Sequence, residues 1–249
     1  MRLRSIAALC AGVLFSWAGS AQEITGTILI KKKLTRPSVT ASVPIYQRGT
    51  SVKLGKDSNE DPLAYERSRV VIYLEGTLPS AGSATGSANT TDVRQLDRRF
   101  VPDLVVVPVG SVVSFPNMDP IFHNIYSLSK TRTFDLGSYD RGETRRVSFT
   151  KPGIVEVYCH LHPNMAATIV VAPSRYFAQP DHDGQYRISN VPPGHYTLVA
   201  WHRSAGYFRK PVELIANQPI SADFFIPLDL DSKTEAEKPR ETAHVAELR

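Results

Sequence analysis

Cysteine is scarce in this sequence. The 249 residues hold two, Cys10 and Cys159. The first lies in a segment with the marks of an export signal. Met1-Arg2-Leu3-Arg4 is a basic start, Ile6 to Trp17 an apolar core, and Gly19-Ser20-Ala21 a run of small residues for cleavage. Cys10 comes too early, and Leu9 before it is too bulky, for a lipid anchor. Residues 1–21 are therefore expected to leave as a signal peptide, placing the chain in the periplasm with Gln22 at its start. Cys159 would then be the only thiol of an exported chain, which excludes an intramolecular disulfide. A lone exposed thiol in an oxidising compartment would be a liability. Three readings remain: a buried inert cysteine, an intermolecular disulfide, or a metal ligand.

Long apolar runs are also lacking. No stretch after the leader approaches the roughly 18 apolar residues that a spanning helix needs, so no membrane span is expected. Charge of one sign is in small surplus. The formal balance is +5, and removing Arg2 and Arg4 leaves 27 basic against 24 acidic side chains. That excess argues against nucleic acid as a partner. With 42% hydrophobic and 21% charged residues, neither wholesale disorder nor a fibrous chain fits. Helical periodicity is missing too. Eighteen prolines and 15 glycines among short apolar runs point to strands and turns.

What is present reads as an all-β chain. Ile24, Gly26, Ile28 and Ile30 alternate with Thr25, Thr27 and Leu29, which suits a strand, with Gly26 as a candidate bulge. Val70 to Glu75 is a β-branched and aromatic strand. Leu34 to Glu66 between them, broken by Pro37, Pro44, Gly49, Gly55 and Pro62, reads as a long loop. Residues 81–91 read as a linker. From 92 to 173, short strands are punctuated by turns at Gly110, Asn117, Asp119-Pro120, Gly137-Ser138, Gly142 and Pro152-Gly153. Such spacing suggests a sandwich or barrel. Residues 174–229 form a second β-rich unit, and 230–249 a charged, disordered tail.

The chemistry concentrates in one loop. In the strand Ile154 to Tyr158, Val155 and Val157 share a face with Cys159, and Glu156 and Tyr158 share the other with His160. Cys159 therefore ends a strand facing the core. In Cys159-His160-Leu161-His162-Pro163-Asn164-Met165, a tight turn can gather thiolate, imidazole and thioether around one point. His123 offers a second imidazole, 36 positions before the cysteine. Two imidazoles, one thiolate and a weak axial thioether are the donor set of a blue-copper electron-transfer site. The short string alone is a weak signal. The order His, Cys, His, Met in an exported β-rich chain with one unpaired cysteine makes it a strong one.

These residues resemble a known family. Residues 93–172 look like a cupredoxin, a Greek-key β-sandwich. The loop is similar to the amicyanin type, whose Cys-x-x-His-Pro-x-Met spacing matches Cys159, His162, Pro163 and Met165. Plastocyanin and pseudoazurin have longer loops there. The resemblance implies one type 1 copper held by His123, Cys159, His162 and Met165. It also implies that Asn124 hydrogen-bonds across to the cysteine loop. His160 departs from the small hydroxyl residue that amicyanin has after its cysteine. The whole chain also resembles exported proteins of the methylamine-utilisation-like type, in which such a domain is joined to a small sandwich. Asp181 to Trp201 looks like the carboxypeptidase-regulatory, or transthyretin-like, fold. That fold usually opens with strands like Ile24 to Ile30 and Val70 to Glu75. Residues 22–80 are therefore expected to belong to the second sandwich, with the copper domain inserted into it; the alternative is a tandem arrangement, with these strands added to the copper sandwich.

The other histidines draw plainer readings. His160 points away from the metal and is expected at the surface. His182 reads as exposed. His195 and His202, seven apart, face opposite sides of a strand, which argues against a shared metal. The leading expectation is a carrier of single electrons that docks a redox donor or acceptor transiently. The alternatives are copper binding or storage without turnover, and a scaffold. No enzyme is expected: further His clusters, a second bridging Cys and a Ser-His-Asp arrangement are not seen. No pattern specifies an oligomer.

Overall fold

The computed structural model describes residues 22–34, 61, 63–78 and 90–226. The expected leader, most of the expected loop and linker, and the charged tail lie outside them. The described chain is almost all β, built as two packed sandwiches. No helix among the described residues is long and apolar enough to cross a membrane.

The strand Val70–Glu75 shows why its sequence is apolar on both faces. Val70, Ile72 and Leu74 enter one core with Ile24, Ile28 and Leu198. Val71 and Tyr73 enter another with Leu104, Val170 and Trp201. A strand buried on one side would alternate; this one is covered on both.

The first sandwich is built from both ends of the described chain. Gln22–Ile30 pairs antiparallel with Gln185–Val191 and parallel with Ile220–Ser221 and Phe224–Ile226. The facing sheet orders Phe177–Ala178, Val70–Glu75, Gly194–His202 and Gly206–Leu214. Gly26 marks a close approach, not a bulge. A Cβ there would overlap the Ala222 carbonyl oxygen and lie 2.8 Å from the Tyr186 ring.

Residues between these strands form the second sandwich. A five-stranded sheet runs Leu104–Pro108, Ala166–Ala172, Gly153–Tyr158, His123–Ser129 and Arg132–Tyr139. It faces Thr144–Ser148, Val112–Pro116 and Thr91–Asp92. Between the two lie Phe115, Phe149, Ile125, Ile169, Val155 and Val157. Ala166–Ala172 repeats the two-faced pattern: Ala167, Ile169 and Val171 point into this core, Val170 and Ala172 into the seam against the first sandwich.

Three elements differ from the sequence reading. Ala64–Ser68 is a short helix in the segment read as loop. Arg94–Leu96 and Arg99–Val101 form a hairpin whose turn carries no glycine. Arg132–Tyr139 is one strand across the turn expected at 137–138, where its pairing with His123–Ser129 is bulged and Gly137 has left-handed backbone, with φ of 67°. Phe134 and Leu136 pack against the core, alternating with exposed Thr133 and Asp135, but that run is short and ends in Gly137-Ser138, which reads as a turn.

Candidate metal centre

Two chain segments meet at one end of the five-stranded sheet. Tyr158 and Ala166 are paired, so residues 159–165 form the connecting loop. The loop closes on itself. The Cys159 N–H donates to the Met165 carbonyl at 3.2 Å, and the Met165 N–H to the His162 carbonyl at 2.9 Å. His123 opens the strand beside Gly153–Tyr158. It is delivered by a loop that Asn117 braces. The Asn117 amide donates to the carbonyls of Ile121 at 2.9 Å and Tyr139 at 3.1 Å.

The donors converge. His123, Cys159 and His162 each offer one ligand atom, all within 4.8 Å of one another. The Cys159 Sγ is 3.8 Å from His123 Nδ1 and 3.7 Å from His162 Nδ1. Metal–nitrogen and metal–sulfur lengths of about 2.0 and 2.3 Å put such atoms about 3.8 Å apart at a trigonal angle. The separations therefore fit one shared ion. His123 and Cys159 are buried, and Met165 is buried in the same apolar cluster as the sulfur. His162 is half-buried, with its ring 4.8 Å from that of His123. Burial, the neighbouring His123 and Arg98 hold the His162 imidazole below its usual pKa, against an upward pull from Asp119. A neutral imidazole is the form that binds a metal.

No family model matches this chain, and no curated protein matches it. Solved structures resemble part of it. A copper-containing nitrite reductase from Thermus scotoductus SA-01 is 28% identical over 33% of this chain, with a TM-score of 0.32. The chain spans 22% of that enzyme's length. A copper(I) amicyanin with a single substitution is 18% identical, over 40% of this chain and 97% of its own, with a TM-score of 0.32. A purple cupredoxin from Nitrosopumilus maritimus is 21% identical, over 33% of this chain and 99% of its own, with a TM-score of 0.31.

Around the donors the structure departs from the sequence reading in one respect and adds to it in another. Asn124 does not bond the cysteine loop. Its Nδ2 donates to Asp135 Oδ1 at 2.7 Å, on the neighbouring strand, and its Oδ1 is buried without a partner. The link to the loop runs through Asp135, whose other oxygen is 3.6 Å from His160 Nε2. His160 is exposed and stacks on Tyr126, with ring centroids 3.8 Å apart and planes 4° from parallel. His160, one position after the cysteine, thus joins the loop to Asp135 and Tyr126.

The residue that sequence reading passed over is Asp119. It was read as half of a turn. Its Oδ2 lies 2.8 Å from His123 Nε2, with His123 fully buried. Burial alone would raise its pKa. Hydrogen bonds from the Arg98 amide, the His123 ring and the Asp97 amide together hold it below the usual carboxylate range. Its spacing of four before the histidine was the available signal, and it points to contact only on a helix.

Proposed function

We propose that the chain is a cupredoxin-type blue copper protein that carries single electrons between redox partners in the periplasm. The observation that carries this reading is the convergence of His123 Nδ1, His162 Nδ1 and Cys159 Sγ at one buried point. Met165, buried in the same cluster as the Cys159 sulfur, would supply a thioether donor. A copper ion there would supply one-electron chemistry, because thiolate and thioether favour Cu(I) while imidazole suits both states.

The residues contribute rigidity and access. Donors held by the first residue of one strand and by a short, hydrogen-bonded loop at the end of a close-packed sandwich cannot move far when the charge of the centre changes. His162 is the most exposed of the three, and exposed apolar side chains stand beside the donors in the chain, Phe122 before His123 and Leu161 before His162. Met118 is 48% exposed, Phe122 57% and Leu161 55%. Exposed apolar groups on the two segments that carry the donors suit a small, weak and transient contact.

Cycling separates the carrier from a storage protein. Copper-loaded protein is reduced with ascorbate, re-oxidised with ferricyanide, and passed through a desalting column after each half-cycle. A carrier keeps its copper and regains its full blue absorbance. Loss of copper to the low-molecular-weight fraction in either state would favour storage.

A further inference from the structure

Asp119 is 5% exposed, and its carboxylate is clasped from two sides. Oδ1 accepts the Asp97 N–H at 2.7 Å, and Oδ2 accepts the Arg98 N–H at 2.8 Å. Oδ2 also lies 2.8 Å from His123 Nε2. Its own N–H donates to Asn117 Oδ1 at 3.0 Å. Asp97 and Arg98 are the turn of the hairpin Arg94–Leu96 and Arg99–Val101. Both have left-handed backbone, with φ of 54° and 58°. Turns of this kind ordinarily place glycine at the second position, and here it is arginine. Such conformations persist where their surroundings over-determine them. The surroundings here are two carboxylate oxygens aimed at the two turn amides. The anion holds the hairpin, and the hairpin holds the anion against His123.

We propose that Asp119 is the positioning residue of this centre. It fixes His123 as the Nε2–H tautomer with Nδ1 turned to Cys159, and its negative charge weights the one-electron equilibrium towards the oxidised ion. This rests on the reading of the centre as a copper site. A carboxylate on the far nitrogen of a ligating histidine makes that ligand more basic, and losing such a partner typically costs about 10–100-fold in metal affinity. The doubly charged ion gains more from a nearby negative charge than the singly charged ion does.

The experiment compares unmutated protein with Asp119→Asn, both loaded with Cu(II). The blue band is followed in a mediated redox titration at one fixed pH. Both proteins remain blue. The variant's equilibrium shifts about tenfold towards Cu(I), a rise of about 59 mV for a one-electron couple. Asp119→Glu, which restores the charge, recovers at least part of that shift. Blue variants whose equilibrium moves less than about twofold would overturn the proposal. A folding failure of the variants does not block the test. Long-range proton–nitrogen NMR of the unmutated copper-free protein reads the tautomer directly. A proton on His123 Nε2 is expected, and one on Nδ1 would overturn the proposal. If the unmutated chain never turns blue, the copper reading falls, and the NMR result still decides the tautomer.

Discussion

His202 and Glu66 meet in the first sandwich, 3.4 Å apart, with side chains almost wholly shut from water. Burial, outweighing the pull of Glu66, lowers the His202 pKa from its ordinary 6.5. In the unfolded chain the ring takes up its proton as pH falls through that value, while in the folded chain it resists. The unfolded state therefore binds more protons, and stability falls with pH below about 6.5. Urea unfolding of the copper-free protein between pH 7 and 5 measures this. His202→Gln is expected to flatten the slope, and an unchanged slope would remove His202 as its source. At the metal centre, Cys159→Ser is expected to abolish the intense colour. Met165→Gln is expected to keep the copper and change its potential. Retained blue colour in the serine variant would refute the ligand assignment. The convergence of His123, Cys159 and His162 was legible because a lone cysteine followed closely by histidine, with a second histidine upstream, is an unusual pattern in a β-rich chain. Asp119 was not, because aspartate before proline is ordinary turn composition and its contact with His123 is made by a loop. Asn124 was misplaced because its partner depends on Asp135, which sits on a strand that the sequence did not announce.

Strands were legible where one face is buried and the other is not. Gly153–Tyr158 shows the alternation, with Val155 and Val157 wholly buried and their neighbours partly exposed. Arg132–Tyr139, at the sheet's edge, shows it only over Thr133 to Gly137, where Phe134 and Leu136 pack on the core and the residues between face water; the bulge at Gly137 then breaks the pattern. The helix Ala64–Ser68 is only five residues long, too short for helical periodicity to appear. Gly26 was recognised as unusual for the wrong reason. The Ala222 backbone crosses where its side chain would be. Gly26→Ala is therefore expected to destabilise the first sandwich by about 1–3 kcal/mol, the usual cost of overpacking. Urea denaturation of the purified protein checks it, and a variant as stable as the parent would contradict the close approach.

At the scale of the molecule, the two sandwiches share a buried seam. Val71, Tyr73, Val199 and Trp201 come from one sheet, and Leu104, Val170 and Ala172 from the other. Arg69 and Asp103 lie 2.5 Å apart, and Arg203 and Glu156 2.9 Å, pairing residues of the two sandwiches. Burying a large aliphatic side chain contributes about 1.5–3 kcal/mol, so a seam of this composition couples the halves strongly. The unmutated copper-free protein is expected to unfold in one calorimetric transition. Val170→Asp places a carboxylate in the seam and is expected to split that transition in two. A single transition merely moved to lower temperature would mean that the halves are coupled elsewhere. No periodicity in the sequence announced the seam as such. It was visible only as strands apolar on both faces, a pattern shared by any strand covered on two sides.

Cys159 and two imidazoles are proposed to hold one copper ion. Adding one equivalent of Cu(II) to the purified chain and recording visible and electron-paramagnetic-resonance spectra tests this. An intense thiolate-to-copper charge-transfer band and a narrow parallel hyperfine splitting are expected. A pale solution with wide splitting would contradict it, because it would mean that the Cys159 sulfur does not bind the metal.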